Sequence, residues 1–363
     1  IIISAPASGA GKTTVTLGLI NAFARKGSVQ PFKSGPDYID SKFQSVAADR
    51  PSYNLDTWAM SSSDILNMIG MVGPSDICIA EGSMGLFDGV ISKGAGGNGS
   101  TADLASITNW PVILVVDCAK QAQSVAALIT GFNSFRHDIT IGGVILNNIS
   151  SKRHEALVVS EVSKTKVPIL GVIPRSNELT IPERHLGLVQ AEDLSDLEQL
   201  IFKLGTLIEE NCDLEAIACT ARKSSPAIPT LQKITPPAQR IAIARDNAFT
   251  FTYSHLIEGW KKQGAEISFF SPLNDEPPSN SDDMVWLPGG YPELYLGRLS
   301  ECKNFKNGLI DFSKKGPVHG ECGGYMVLGR KIIGKGGQAY DMIGMFDLVT
   351  SFEKRKLNLG YRK

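Results

Sequence analysis

The residues with most to offer chemically stand near the two ends of the chain. Ser8-Gly9-Ala10-Gly11-Lys12-Thr13-Thr14 follows an apolar Ile1-Ile2-Ile3 run and opens a helical pattern. Glycines at 9 and 11 let the backbone curl so that its N–H groups face inward. The start of the helix adds partial positive charge, and together these cradle an anion. Lys12 would then reach the β- and γ-phosphates of ATP, and the Thr13 hydroxyl would hold Mg²⁺. Pro6 stands where the usual phosphate-loop pattern has its first glycine. The order strand, loop, helix therefore carries the assignment. At the other end, Gly320-Glu321-Cys322-Gly323-Gly324 has the G-x-C-x-G form of a nucleophile elbow, with cysteine in the serine position. The helix that follows is expected to lower the thiol pKa. The N–H groups of Gly323 and of Gly290, in the Gly289-Gly290 turn, are candidate oxyanion donors. A cysteine nucleophile wants a histidine base. His319 sits at a strand end, poorly placed for Cys322, and no histidine follows Cys322 in the chain.

Carboxylates supply the second set of candidates. Asp37 and Asp40, with Tyr38 between, follow the second strand and can face one site, as Mg²⁺ ligands or in steering a substrate. A solvated acidic turn is the alternative. Glu81 ends a buried strand, where an unpaired carboxylate would be costly, so it is expected at Mg²⁺ or at the γ-phosphate. Asp88 follows in a loop, and Asp117 ends another apolar run as an Mg²⁺-side or water-side carboxylate. Asn147 ends a further strand, where an amide can both donate to and accept from an adenine edge.

The elements that must hold these groups alternate. A helix is predicted over 12–26, with Val15, Leu19, Ala22 and Phe23 on one face and Gly27 as its stop. Asp76–Gly82 reads as the third strand, Pro111–Val116 as the fourth, Ile141–Leu146 as the fifth and Val167–Ile173 as the sixth. Strands alternating with helices imply a doubly wound, mostly parallel α/β sheet. Gly94–Thr101 is so glycine-rich that it reads as a mobile lid, or equally as a flexible linker. Pro226, Pro229, Pro236 and Pro237 mark an interdomain linker. The expected division is 1–219, a linker over 220–239, and a second α/β domain over 240–363.

A chain of 363 residues, 42% hydrophobic, suits two domains with large cores. A net charge of −1 gives no field to draw nucleic acid or an anionic membrane. The six cysteines show no metal-ligand spacing and suit a reducing cytoplasm. No apolar run is long enough to span a bilayer.

Taken together, SAPASGAGKTT, KSGPDYID, AEGSMGLFDG, LVVDCA, GVILNN, LGVIPR, LPGGYPEL and HGECGGYMVLG resemble the cobyrinic acid a,c-diamide synthases, in both cobalt-containing and metal-free (hydrogenobyrinic) forms. The first half also resembles dethiobiotin synthetase. The second resembles a class I, triad-type glutamine amidotransferase of flavodoxin-like fold. The resemblance implies that Cys322 releases ammonia from glutamine, and that ATP phosphorylates the a and c acetates of the corrinoid so that ammonia displaces phosphate.

It further implies an ATP site at Ser8 to Thr14 with Lys12 catalytic, and adenine contact by Asn147. Asp37, Tyr38, Asp40 and Asp88 would lie at the substrate, with Asp40 and Asp88 catalytic. Thr13, Asp37 and Glu81 would hold Mg²⁺. The family histidine that activates the cysteine lies further toward the C-terminus, so the glutaminase half is expected to be cut short. Relatives of the first domain pair, which implies a homodimer. Lys33, Arg153, Arg175, Arg184 and His185 are candidates to meet substrate carboxylates. Two other readings remain: an amidase for another tetrapyrrole, such as nickel-sirohydrochlorin or the substrate of cobyric acid synthase, and a nucleotide switch of the partitioning (ParA/MinD-like) type. Ala7 stands where such switches carry an extra lysine.

Overall fold

β-Branched and leucine-rich runs with no polar alternation form strands covered on both faces. In the computed structural model, such runs build the centre of the first of two units. The structure describes residues 1–176, the backbone of 183–184 and 187–188, and residues 196–223 and 234–353. The chain divides into Ile1–Gln232 and Lys233–Lys363.

In the first unit the elements run β1 (Ile2–Ser4), α1 (Lys12–Ala24), β2 (Val29–Ser34), α2 (Ile39–Ala48), β3 (Tyr53–Leu55), α3 (Ser62–Met71), β4 (Ile77–Glu81), α4 (Thr101–Thr108) and β5 (Val112–Asp117). They continue as α5 (Val125–Phe135), β6 (Ile141–Ile149), α6 (Lys152–Val162), β7 (Ile169–Pro174), the short pair β8 (Glu183–Arg184) and β9 (Gly187–Leu188), α7 (Leu197–Asn211) and α8 (Leu214–Thr220). Seven strands form one sheet in the order β3-β2-β4-β1-β5-β6-β7, every pairing parallel. β1 lies between β4 and β5, so the chain reverses its direction of travel across the sheet there. The crevice beyond the carboxyl end of β1 is where an open parallel sheet receives a ligand.

Two expectations change. Tyr53–Leu55 is a strand at the sheet edge, so the runs numbered third to sixth from sequence are β4 to β7. α1 is not a one-faced amphipathic helix. Thr16, Leu17, Gly18 and Ile20 are buried along with Val15, Leu19 and Ala22, because α7 covers the side that the sheet does not. Gly18 permits that approach, since a Cβ there would lie 2.7 Å from the Leu204 carbonyl oxygen.

The second unit runs β10 (Arg240–Ala244), α9 (Ser254–Lys262), β11 (Glu266–Phe270), β12 (Met284–Leu287), α10 (Leu296–Glu301), α11 (Lys303–Ser313), β13 (Val318–Gly320), α12 (Gly323–Leu328), β14 (Gly329–Ile333), β15 (Ala339–Asp341) and β16 (Phe346–Ser351). Its parallel sheet has the order β11-β10-β12-β13, the flavodoxin-like arrangement. A three-stranded sheet, β15-β14-β16, stands apart from it. The α/β class expected for both halves is the one observed.

Candidate active sites

The phosphate loop is built as its glycines require. Gly9 (φ 81°) and Gly11 (φ 87°) are both left-handed, and Gly11 is the residue from which α1 starts. A side chain at 11 would collide with Asn147, whose Nδ2 lies 2.2 Å from the ideal Cβ position. Asn147 is buried and donates from Nδ2 to the Ala10 carbonyl at 2.9 Å. Its amide thus braces the loop, and its oxygen remains for a ligand. Ser8 and Gly9 are exposed at the loop's crest, while Thr13 and Thr14 are half-buried on the first turn of α1. Lys12 folds back to donate to the Met84 carbonyl at 2.9 Å. Burial lowers its pKa, with Glu81 opposing and Lys33 assisting.

Beneath the loop is a buried charge cluster. Glu81 ends β4 with no solvent exposure. Its Oε1 accepts from the Thr13 hydroxyl at 2.6 Å and lies 3.2 Å from the Lys33 ammonium. Its Oε2 accepts from Gln44 Nε2 at 2.8 Å. Lys33, on the neighbouring β2 and directly across from Glu81 in the ladder, also donates to Asp40 on the first turn of α2. Burial alone would lower the pKa of Lys33, but Asp40, Glu81 and Asp37 overcome it and hold the ammonium well above its usual range. Lys33 is therefore a buried counter-ion, engaged by Asp40 and Glu81 in this structure. Of the other basic candidates, Arg153 is exposed on α6, and Arg175 lines an open groove with Lys152 and Asp213. The side chain of Arg184, and His185, lie outside the described residues.

Asp37 does not sit on a solvated turn. Its Oδ1 accepts from the backbone N–H groups of Ile39 (2.8 Å) and Asp40 (3.0 Å), fixing the entry to α2 behind half-buried Tyr38. Burial and then Asp40 push its pKa up. Asp88 is exposed, and its Oδ2 takes the Gly85 N–H at 2.9 Å, closing the turn after β4. Asp117 is occupied by Ala119 N–H at 3.0 Å and Asn148 Nδ2 at 2.8 Å. Thr13 and Glu81 offer two hard oxygen donors side by side, which suits a small divalent cation that takes its other ligands from phosphate and water. Among the described residues no three His, Cys, Asp or Glu side chains gather as a metal cage.

The glycine-rich segment is tied to neighbouring backbone by hydrogen bonds. Gly94 N–H bonds to Gly97 O, Ala95 N–H to Trp58 O, Gly96 N–H to Thr57 O and Asn98 N–H to Asp103 Oδ2. A Cβ on Gly94 would fall 2.0 Å from the Trp58 carbonyl oxygen. The glycines are there because another strand of backbone lies against them.

In the second unit Cys322 adopts φ 49°, ψ −116°, a strained conformation for a side-chain-bearing residue at the junction of β13 and α12. The N–H groups of Gly290 and Gly323 both reach its sulfur. Gly290 has no room for a side chain: a Cβ would lie 2.1 Å from the Ala248 carbonyl oxygen. The thiol is not the acidified one expected. The residue is exposed, yet crowding round its sulfur raises the pKa first of all, and Glu293 and Glu321 raise it further against the two amides. α12 is also too short to contribute much dipole. His319 lies against Trp286 at 4.3 Å between centroids with the rings tilted by 48°, its Nε2 3.8 Å from Glu321 Oε2. Among the described residues no hydrogen bond links it to Cys322.

Gln44 and its partner Ser52 were not singled out from sequence. The available signal was spacing: Asp40 and Gln44 are one turn apart on α2 and share a face.

A phosphate loop on a parallel sheet, followed by a cysteine elbow on a flavodoxin-like sheet, defines a nucleotide-dependent amidotransferase of two parts. Residues 1–189 match the CobQ/CobB/MinD/ParA nucleotide binding domain, and 240–362 match the CobB/CobQ-like glutamine amidotransferase domain. The chain is 48% identical, over all of its length and 83% of the relative's, to hydrogenobyrinate a,c-diamide synthase of Rhodobacter capsulatus. It is 47% identical to that of Brucella anthropi, over 99% of this chain and 83% of the other. The chain belongs to the hydrogenobyrinate a,c-diamide synthase family. Among solved structures, the MinC:MinD cell division complex of Aquifex aeolicus aligns at TM-score 0.37 and 16% identity, over 62% of this chain and 97% of that one. No helix among the described residues is long and apolar enough to cross a membrane.

Proposed function

We propose that the chain is an ATP- and glutamine-dependent amidase that converts two acetate carboxylates of hydrogenobyrinic acid, or of its cobalt counterpart, to amides. The observation that carries this is the identity of 48% along the whole chain to a hydrogenobyrinate a,c-diamide synthase. In this reading residues 1–219 activate the carboxylate and 240–363 release ammonia, with 220–239 as the linker between them.

A carboxylate is a poor acyl donor because oxide would have to leave. A substrate carboxylate oxygen attacks the γ-phosphorus of ATP and ADP departs, giving an acyl phosphate. Ammonia then attacks the acyl carbon, the C–O bond breaks, and phosphate departs with that oxygen and with the proton the nitrogen gives up. Thr13 and Glu81 would hold Mg²⁺, which would neutralise phosphate charge that otherwise repels the incoming carboxylate. The curled N–H groups of residues 8–14 hold the phosphates, and Lys12 leaves the Met84 carbonyl to meet the transferring group. Asn147 Oδ1 accepts from the adenine amino group. Asp37, Tyr38, Asp40 and Asp88 lie toward the corrinoid. At the second centre Cys322 sulfur attacks the glutamine amide carbon, with Gly290 and Gly323 N–H groups stabilising the oxyanion; the C–N bond breaks, the thiol proton leaves with the nitrogen as ammonia, and water then hydrolyses the thioester to glutamate and the free thiol.

The test is product mass from hydrogenobyrinic acid, ATP and Mg²⁺, with glutamine or with ammonium, for the parent and Cys322→Ala. The expected result is two carboxyl-to-amide conversions, with the variant active on ammonium and inactive on glutamine. No amidation from either nitrogen source would overturn the substrate assignment.

A further inference from the structure

Glu81 is a carboxylate with no solvent contact, and every hydrogen bond it accepts has a direction. The Thr13 hydroxyl, at 2.6 Å, and the Lys33 ammonium, at 3.2 Å, share Oε1. Among the described residues it is Gln44 Nε2 that takes Oε2, at 2.8 Å. Gln44 is itself fully buried, and its Oε1 accepts from the Ser52 hydroxyl at 2.8 Å. The Ser52 N–H donates to Ser45 Oγ at 2.9 Å, which ties the chain of bonds back onto α2. An ionised carboxylate can only accept, so Gln44 must turn its NH₂ toward Glu81 and its carbonyl toward Ser52.

We propose that Gln44 is a positioning residue that pins Glu81 Oε2, so that Oε1 alone is offered to a cation beside Thr13. This rests on the reading of the first unit as a Mg²⁺-nucleotide site. An amide suits the task because it anchors one oxygen without neutralising the carboxylate. A lysine or arginine in its place would bring a second full charge into a pocket already holding Lys33. Pinning also stops the carboxylate turning both oxygens to the cation, a mode that a small octahedral ion disfavours. Asp40, one turn earlier on the same face of α2, holds Lys33 from the other side. The face of α2 thus fixes both charges that flank Thr13.

The experiment measures Mn²⁺ affinity by electron paramagnetic resonance on the full chain with saturating ADP, and ADP affinity separately in chelator. For Gln44→Leu the Mn²⁺ dissociation constant rises about tenfold or more, the scale of loss when a group that orients a metal ligand is removed. Metal-free ADP affinity and the melting temperature stay near the parent's. Parental Mn²⁺ affinity in the variant overturns the proposal. Equal loss of Mn²⁺ and metal-free ADP also overturns it, since that marks a collapsed loop. If Gln44→Leu does not fold, Ser52→Ala decides: a loss of roughly threefold or more in Mn²⁺ affinity alone supports the relay, and none overturns it. A parent that binds no Mn²⁺ with ADP would instead overturn the underlying metal reading.

Discussion

Replacing Lys33 by methionine would leave Glu81 and Asp40 facing one another without their shared counter-ion. The two carboxylates are 0% and 8% exposed, so water cannot take over. Removing one partner of a buried ion pair costs about 3–5 kcal/mol, chiefly because the remaining charge is stranded. Here the Thr13 and Gln44 bonds to Glu81 persist. The expected loss therefore lies near the lower end, about 3 kcal/mol, or roughly a hundredfold in the local opening equilibrium. Hydrogen exchange of β2 and β4 peptides, corrected for intrinsic rates, reads this directly. A deficit under about 1 kcal/mol would refute the picture of Lys33 as the counter-ion.

Three further outcomes follow from the second unit. Gly290→Ala forces a Cβ to within 2.1 Å of the Ala248 carbonyl and displaces one oxyanion donor. Glutamine-driven turnover should fall about a hundredfold while ammonium-driven turnover holds, and equal loss of both would count against that role. The Cys322 thiol, with its pKa pushed up by burial and by Glu293 and Glu321, should alkylate with iodoacetamide increasingly fast as pH rises above 8. A plateau below pH 7 would contradict this. His255 Nδ1 is buried with no hydrogen-bond partner among the described residues, and burial lowers its pKa to about 4. The unfolded chain takes up that proton near pH 6.5, so the stabilisation is complete above 6.5 and is lost as pH falls toward 4. The loss is up to about 3 kcal/mol, seen as exchange in β10 and β12, and His255→Gln should flatten it.

The parallel sheets were legible because their strands are continuous apolar runs ending in glycine, proline or a carboxylate. Ile1–Ile3 and Val112–Val116 could be little else. Tyr53–Leu55 was not legible: three residues with an asparagine at the centre carry no periodic signal, and only β2 beside them makes them a strand. The glycines of 94–99 misled for a related reason. Their composition says freedom, while their use is close approach to Trp58, a residue remote in sequence. The phosphate loop and the cysteine elbow were readable from local spacing, since each is a backbone device that glycine positions encode. The thiol's raised pKa was not, because Glu293 and the crowding by Gly289 come from another loop. The pairing of Lys33 was hidden for the same reason. Its partners lie on α2 and β4, and only the fold joins them.

The claim at the centre of this account is that the first unit activates a carboxylate as an acyl phosphate. Hydrogenobyrinic acid labelled with ¹⁸O in its carboxylates tests it most directly, with ATP, Mg²⁺ and glutamine supplied and the released phosphate weighed by mass spectrometry. The account predicts one ¹⁸O in phosphate for each amide formed, because the oxygen that attacks the γ-phosphorus leaves with it. Amide formation with unlabelled phosphate would contradict it.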